Sequence, residues 1–440
     1  MIAAEGLRSR VAKWPYGLIS VLAGIAAFGT YTSMYSFRKG FAAGIYPGEQ
    51  YFHVDYKVWL VIAQVMGYTM SKFYGIKFIS ELKSNQRAKS IFILIGIGWL
   101  ALLLFAIIPA PYNIICMFIN GFPLGMIWGL VFSYLEGRKS TEFMASVLSI
   151  SLIFASGFVK TIARMLRDGL HISEYSMPFF TGALFVIPLV FFVFCLELMP
   201  PPTEEDVRLR TKRLPMNADE RKHFLNRFLP GIILTLILYV LLNVMRDIRD
   251  NFEVEIWASL GNKDNTIYTK IDTIISVIVL VAMSLLILVK QNLKAFSIIH
   301  LMIIFGCALI GGGTVLFNLK LIGPVVWMIA AGLGLYLCYV PYNAIFFERM
   351  IASFHYKSNV GFIIYVSDSI GYLGSVAVLL VKELGNPTIS WVTFFKEGVL
   401  VVGGVGGLCA TLSLIYFLNS ARKQNKDIEP SSPQFNIVPA

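Results

Sequence analysis

Twelve long apolar stretches recur along this chain of 440 residues, and a bilayer is the solvent that accommodates so many of them. They fall at roughly 16–45, 58–80, 89–108, 112–135, 143–166, 176–198, 229–259, 267–289, 296–317, 323–347, 358–381 and 391–418. Each has the twenty or so mainly apolar residues that an α-helix needs to cross the hydrocarbon core. Short polar connections containing Pro, Gly or Asn separate most of them, as at 109–113 and 385–390. Only 14% of the residues are charged, where a soluble domain carries about a quarter. The expected fold class is an all-α membrane protein with twelve transmembrane helices.

The most hydrophilic internal stretch, 200–228, divides these helices six and six. The chain reads as an N-terminal half (1–199), a charged linker (200–228), a C-terminal half (229–419) and a polar tail (420–440). With the N-terminus inside, the cytoplasmic segments carry 22 Lys and Arg and the opposite loops 7. That asymmetry predicts cytoplasmic termini, in what is expected to be a bacterial inner membrane. It also accounts for the net charge of +11 without a nucleic-acid partner. The five cysteines lie inside apolar segments with no CxxC spacing and read as small buried hydrophobes.

A charge inside an apolar helix is costly and normally faces a bundle interior or a water-filled cavity. Arg38 and Lys39, adjacent in YTSMYSFRKGF (31–41), are such a pair. Adjacent helical residues point about 100° apart, so one of the two faces a cavity fully. Two readings stand for Arg38: a bidentate grip on an anion, or snorkelling at the outer interface. The second half repeats the pattern, with Tyr239 seven residues before Arg246 as Tyr31 is before Arg38. Tyr35 and Asn243 lie on the same two stripes. Lys160, in the fifth helix, is a further candidate contact. Arg246 with Asp250, and Arg249 with Glu253, are spaced for ion pairs one turn apart. Asp247, Asp250 and Asp368, carboxylates inside the membrane, are candidate proton carriers; the alternative for each is a structural pair. Glu136 and Arg138 end the fourth helix, and Glu348 and Arg349 the tenth. With Glu81, Lys83 and Arg87 they form a candidate cytoplasmic gating network that holds an outward-open state.

Four stretches carry a family resemblance: 31–41; the segment 67–87 with its SKF; GYLGS at 371–375; and PPTEE at 201–205. They resemble the organophosphate:phosphate antiporter branch of the major facilitator superfamily, which includes glycerol-3-phosphate and hexose-phosphate carriers. The resemblance implies two pseudo-symmetric six-helix halves around a midplane site, and alternating access. Two features depart from the branch. The fifth helix lacks its His, and the seventh brings acids beside its cations. The expected function is secondary active transport of a small organic anion, possible phosphorylated metabolites included, by antiport or proton-coupled symport. The partners are then that solute, the surrounding lipid, and a counter-transported anion or a proton. The alternative is a non-transporting ligand sensor on the same fold. No HExxH, GxSxG or P-loop is present, so neither an enzyme nor a cofactor or metal is expected.

Overall fold

The structure is a computed structural model that describes residues 2–209, 218–354, 360–385 and 388–428. The middle of the linker and the end of the tail lie outside the described residues. Helices occupy all twelve expected positions. Spans 1 to 3 are Tyr16–Lys39, Tyr56–Glu81 and Arg87–Ile107. Span 4 is Ile114–Leu124 with Ile127–Leu135, broken next to Pro123, and span 5 is Thr141–Leu170. Span 6 joins Met177–Leu184 to Val186–Glu197 at a bend of 43°. Spans 7 to 9 are Ala218–Ser259, Ile267–Ile287 and Asn292–Asn318. Span 10 runs from Pro324–Pro341 through a π-helical turn, Tyr342–Phe346, to Phe347–Ser353. Span 11 is Val360–Gly385, and span 12 runs from Trp391–Val401 through a second π-turn to Gly407–Ile428.

Among the described residues nine of these helices, or ten with the bent span 6, are long and apolar enough to cross a membrane. Spans 2 and 11 are the other two. Each has 26 residues, enough for about 39 Å at 1.5 Å per residue. Two small elements were not expected: a helix at Ile2–Val11, and a two-stranded hairpin pairing Gln50–Tyr51 with Val54–Asp55. Span 7 also starts earlier than the apolar run, at Ala218.

The outward faces follow from helix periodicity. In span 3 Ile93, Ile97, Leu100, Leu104 and Ile107 are exposed at three- and four-residue intervals, the stripe a helix turns toward lipid. The opposite stripe, Ile91, Leu94, Ile95, Gly98, Leu102 and Phe105, is buried. With no hydrophobic drive between helices in lipid, close packing of small residues holds spans together. Spans 2 and 4 illustrate it. A Cβ on Gly121 would lie 2.2 Å from the carbonyl oxygen of Gln64, and one on Gly67 2.3 Å from that of Phe118. Both obstacles are backbone, so neither can swing away. Gly121→Ala is expected to cost about 1–3 kcal/mol through overpacking, read as a lowered melting temperature. Gln64 in turn donates to the carbonyl of Arg38 (2.7 Å) and to Asn120 (2.8 Å), so the same shift would move the end of span 1.

The linker side is tied down locally. Tyr16 donates to Asp206 (2.9 Å), the backbone N–H of Lys139 donates to the same carboxylate (2.7 Å), and Arg8 donates to the carbonyl of Met199 (3.1 Å).

Candidate functional site

Tyr31, Tyr35 and Arg38 sit at positions i, i+4 and i+7, so the helix stacks them on one face. That face lines a cavity of about 190 Å³ between the two halves. The cavity begins at Arg38 and runs along spans 2, 4, 5 and 10 to Phe132, Glu142 and Glu348. These last residues mark the linker side, and there the Glu142 side chain is 40% exposed. Arg38 therefore reaches the cavity, and the snorkelling alternative does not hold: the residue is 7% exposed. Its guanidinium carbon lies 3.9 Å from the centre of the Tyr68 ring and 5.8 Å from that of Tyr35. Among the described residues it has no ion pair, and its buried Nε has no hydrogen-bond partner.

The second half answers with Arg246, stacked 4.1 Å over the ring of Tyr339. Tyr372 connects the two arrangements, 5.4 Å ring to ring from Tyr68 and 5.9 Å from the guanidinium carbon of Arg246. Arg246 is not free: it pairs with the neighbouring Asp247 at 2.7 Å, and Ser375 donates to the same carboxylate at 2.9 Å. The spacing had suggested Asp250 one turn on. Arg249 does meet Glu253 one turn on (3.5 Å), but its closer partner is Asp272 in span 8, at 2.7 Å.

Four expected ligands lie elsewhere. Lys39 points about 100° away from Arg38 and meets Asp250 (2.8 Å) and Asn251 (2.7 Å) of span 7. Lys160 is fully buried against Glu253 (2.6 Å) and Asp250 (3.5 Å). Both cations are spent on carboxylates that the sequence could not assign to them. Tyr239 is buried behind the cavity, where its hydroxyl bonds to Asp368. Asn243 packs against Gly371 so closely that a Cβ there would lie 2.1 Å from the amide nitrogen. The three acids do line the cavity, all of them paired: Asp247 with Arg246, Asp250 with Lys39, and Asp368 with Lys72 at 2.9 Å.

Lys72, Asp272, Glu142 and the tyrosines 68, 336, 339 and 372 were missed. Lys72 carried a signal. It is a cation well inside span 2, and the cost of burying it points to a partner or a cavity just as it does for Arg38. Asp272 is the one carboxylate of span 8.

The far side of the cavity is sealed by contacts that cross between the halves. Lys57 meets Glu255 at 2.5 Å and also donates to the carbonyl of Ala42 (2.9 Å). The backbone N–H of Asp55 donates to Glu383 (3.2 Å). Ser156 bonds to Asp250, and Thr269 donates to Thr161 (2.8 Å). Span 5 lies directly on span 8: a Cβ on Gly157 would be 2.3 Å from the carbonyl oxygen of Tyr268. Span 7 bends at Phe252 (φ −116°, ψ 18°), whose ring stacks on Trp391 at 3.5 Å.

The linker side differs from the network expected there. Glu81 and Lys83 are exposed at the end of span 2. Arg87 lies over the ring of Tyr134 (5.4 Å), and Arg138 donates to the carbonyl of Pro200. Glu136 remains at the end of span 4, and Glu348 lines the cavity. Arg349 crosses between the halves, to Glu142 at 3.1 Å. The cavity thus extends toward the linker side and is closed on the far side. Among the described residues no cluster of His, Cys, Asp or Glu is arranged to hold a metal.

A model for a family described as "Family of unknown function (DUF5690)" matches residues 40–420. No curated protein matches the sequence. Among solved structures, a D-xylose-proton symporter superposes with a TM-score of 0.58 at 16% identity, over 91% of this chain and 96% of its own. A mutant of the nucleoside transporter NupG gives 0.57 at 14% identity, over 91% of this chain and 99% of its own. At such identities the likeness is one of fold, and it agrees with the twelve-helix, two-halved major facilitator arrangement expected. The narrower resemblance to the organophosphate branch rests on the sequence motifs alone.

Proposed function

The chain belongs to DUF5690, a family of unknown function, and from that premise we propose that it is a secondary transporter of a small organic anion. One observation carries the reading: a buried Arg38 with no ion pair among the described residues, inside a cavity that reaches one side and is sealed on the other by contacts crossing between the halves. Such a site binds from the side that is open. To release on the other side the far contacts must break, with Lys39–Asp250, Lys57–Glu255 and Lys160–Glu253 pulled apart. The residues 1–199 and 229–419 would then rock as two bodies, and the linker side, placed in the cytoplasm by the Lys and Arg bias, would close. The two solved neighbours are named for transport, one of them with a proton, which supports the class. For coupling, counter-exchange of anions and symport with a proton both fit. In the second, the Lys72–Asp368 pair would part when Asp368 takes the proton.

Purified protein in liposomes preloaded with unlabelled organic anions should take up labelled anion against no external gradient. Absence of counterflow across a broad anion panel would sink the transport reading. The far-side seal gives a second test. Glu255→Gln removes one of the crossing pairs and is expected to shift the population toward far-side opening. Ser149 lines the cavity. A cysteine placed there, with the native cysteines replaced, should react several-fold faster with an impermeant thiol reagent added from the far side. An unchanged rate would mean that the pair takes no part in the seal.

A further inference from the structure

The inner part of the cavity and its floor hold six cations and five carboxylates among the described residues; two further acids, Glu142 and Glu348, line its linker-side mouth, where Arg349 meets Glu142 at 3.1 Å. Five close contacts use all five carboxylates: Asp250 with Lys39 (2.8 Å), Glu253 with Lys160 (2.6 Å), Asp272 with Arg249 (2.7 Å), Asp247 with Arg246 (2.7 Å) and Asp368 with Lys72 (2.9 Å). The matching is one to one, and Arg38 is the cation left over. From this we infer that the site takes a monovalent organic carboxylate and rejects phosphate monoesters. The inference rests on the transport reading above and narrows its solute.

Charge sets the valence. A phosphate monoester carries about −1.5 to −2 near neutral pH. Its first charge would meet Arg38. Its second would find the remaining cavity cations, Lys72 and Arg246, already committed, and would lie in a cavity that Asp247, Asp250 and Asp368 also line. In a low-dielectric site an unmatched charge is expensive. Geometry gives the carboxylate its contact, while the discrimination against phosphate comes from charge. The Tyr68 ring covers one face of the Arg38 guanidinium at 3.9 Å, which leaves the edge of the fork for a planar, bidentate partner. The body of the solute meets the tyrosines at 31, 35, 336, 339 and 372. Their rings and hydroxyls suit a planar or hydroxylated skeleton.

The test titrates the full chain in nanodiscs with matched solutes: benzoate and gluconate, phenyl phosphate and glucose 6-phosphate, then a library of metabolite carboxylates and phosphate esters. Thermal stabilisation is the readout. A carboxylate should raise the melting temperature where phosphate esters do not, and Arg38→Gln should weaken that carboxylate at least tenfold. Asp247→Asn and Asp368→Asn each release a cation, Arg246 or Lys72. In both, the affinity for a phosphate ester relative to a carboxylate should rise at least tenfold. The inference is overturned if wild-type protein binds phosphate esters and no carboxylate in the library. An unchanged ratio in both Asn variants, each shown to be folded, overturns it as well. Counterflow with the same solutes separates this from the parent reading. Exchange of phosphate esters alone would leave transport standing and remove the carboxylate. Carboxylate binding without exchange would do the opposite.

Discussion

Arg38→Gln should lose solute binding and transport while the protein stays folded. Truncating one partner of a buried, hydrogen-bonded charge pair costs about 2–5 kcal/mol of binding, roughly thirtyfold to several thousandfold in affinity. The informative part is the folded state. Among the described residues Arg38 has no carboxylate of its own, so its removal strands none of their acids, and it takes an unpaired charge out of a buried position. The melting temperature should therefore stay level or rise while uptake disappears. Arg246→Gln provides the contrast. Among the described residues it leaves Asp247 with the Ser375 hydroxyl alone, so stability and transport should fall together. Arg38→Lys keeps the charge but replaces the planar fork with a point charge, and should fall between wild type and Gln. If Arg38→Gln transports normally, Arg38 is not a ligand and the site reading fails with it.

The sequence was a good guide to whatever depends on one helix at a time. Apolar length located all twelve spans, and the i, i+4, i+7 spacing placed Tyr31, Tyr35 and Arg38 on one face. The cost of a buried charge singled out Arg38 and Arg246. Reasoning of this kind fails where the answer lies on another helix. Lys39 and Lys160 carry the same signal as Arg38, a cation inside the membrane. They differ from it only in that span 7 brings Asp250 and Glu253 against them, and pairings more than ninety residues apart leave no trace in one sequence. The same limit hid Lys72, whose partner Asp368 is 296 residues away. Arg246 was misassigned for a local reason. Its one-turn partner Asp250 is drawn off by Lys39, so it turns to its neighbour Asp247. The sense of opening was illegible for a further reason. Charged helix ends at the linker side are expected in either state, and which end is sealed depends on the packing between halves.

Asp272→Ala should be the most damaging single change to stability in the membrane core. Asp272 and Arg249 are both fully buried, 2.7 Å apart, and Arg249 has a second carboxylate, Glu253, only at 3.5 Å. Among the described residues the Nε and Nη1 of Arg249 have no hydrogen-bond partner. Removing Asp272 thus leaves a guanidinium that is already poorly satisfied with a distant anion that Lys160 also holds. Breaking a buried pair from one side typically costs about 3–5 kcal/mol, a large part of the roughly 5–15 kcal/mol that holds a domain together. Thermal unfolding in detergent should show the loss directly. Replacing both partners, Arg249→Met with Asp272→Leu, should recover most of it, because a buried ion pair gains little over well-packed apolar side chains. A double variant no better than the single would mean that Asp272 acts through span 8 packing and not through charge. The location of the pair adds a functional contrast. Arg249 and Asp272 lie on spans 7 and 8 of the same half, and on the proposed mechanism they would stay together when the halves rock. Lys160 and Glu253 lie on opposite halves and would have to separate for the far side to open. Lys160→Gln should therefore change how often the far side opens, measured by the same cysteine labelling, in addition to any loss of stability. Asp272→Ala should lower stability without that shift in the protein that remains folded. Two neighbouring ion pairs, linked by the 3.5 Å contact of Arg249 with Glu253, would then separate into one that maintains the fold and one that sets its equilibrium.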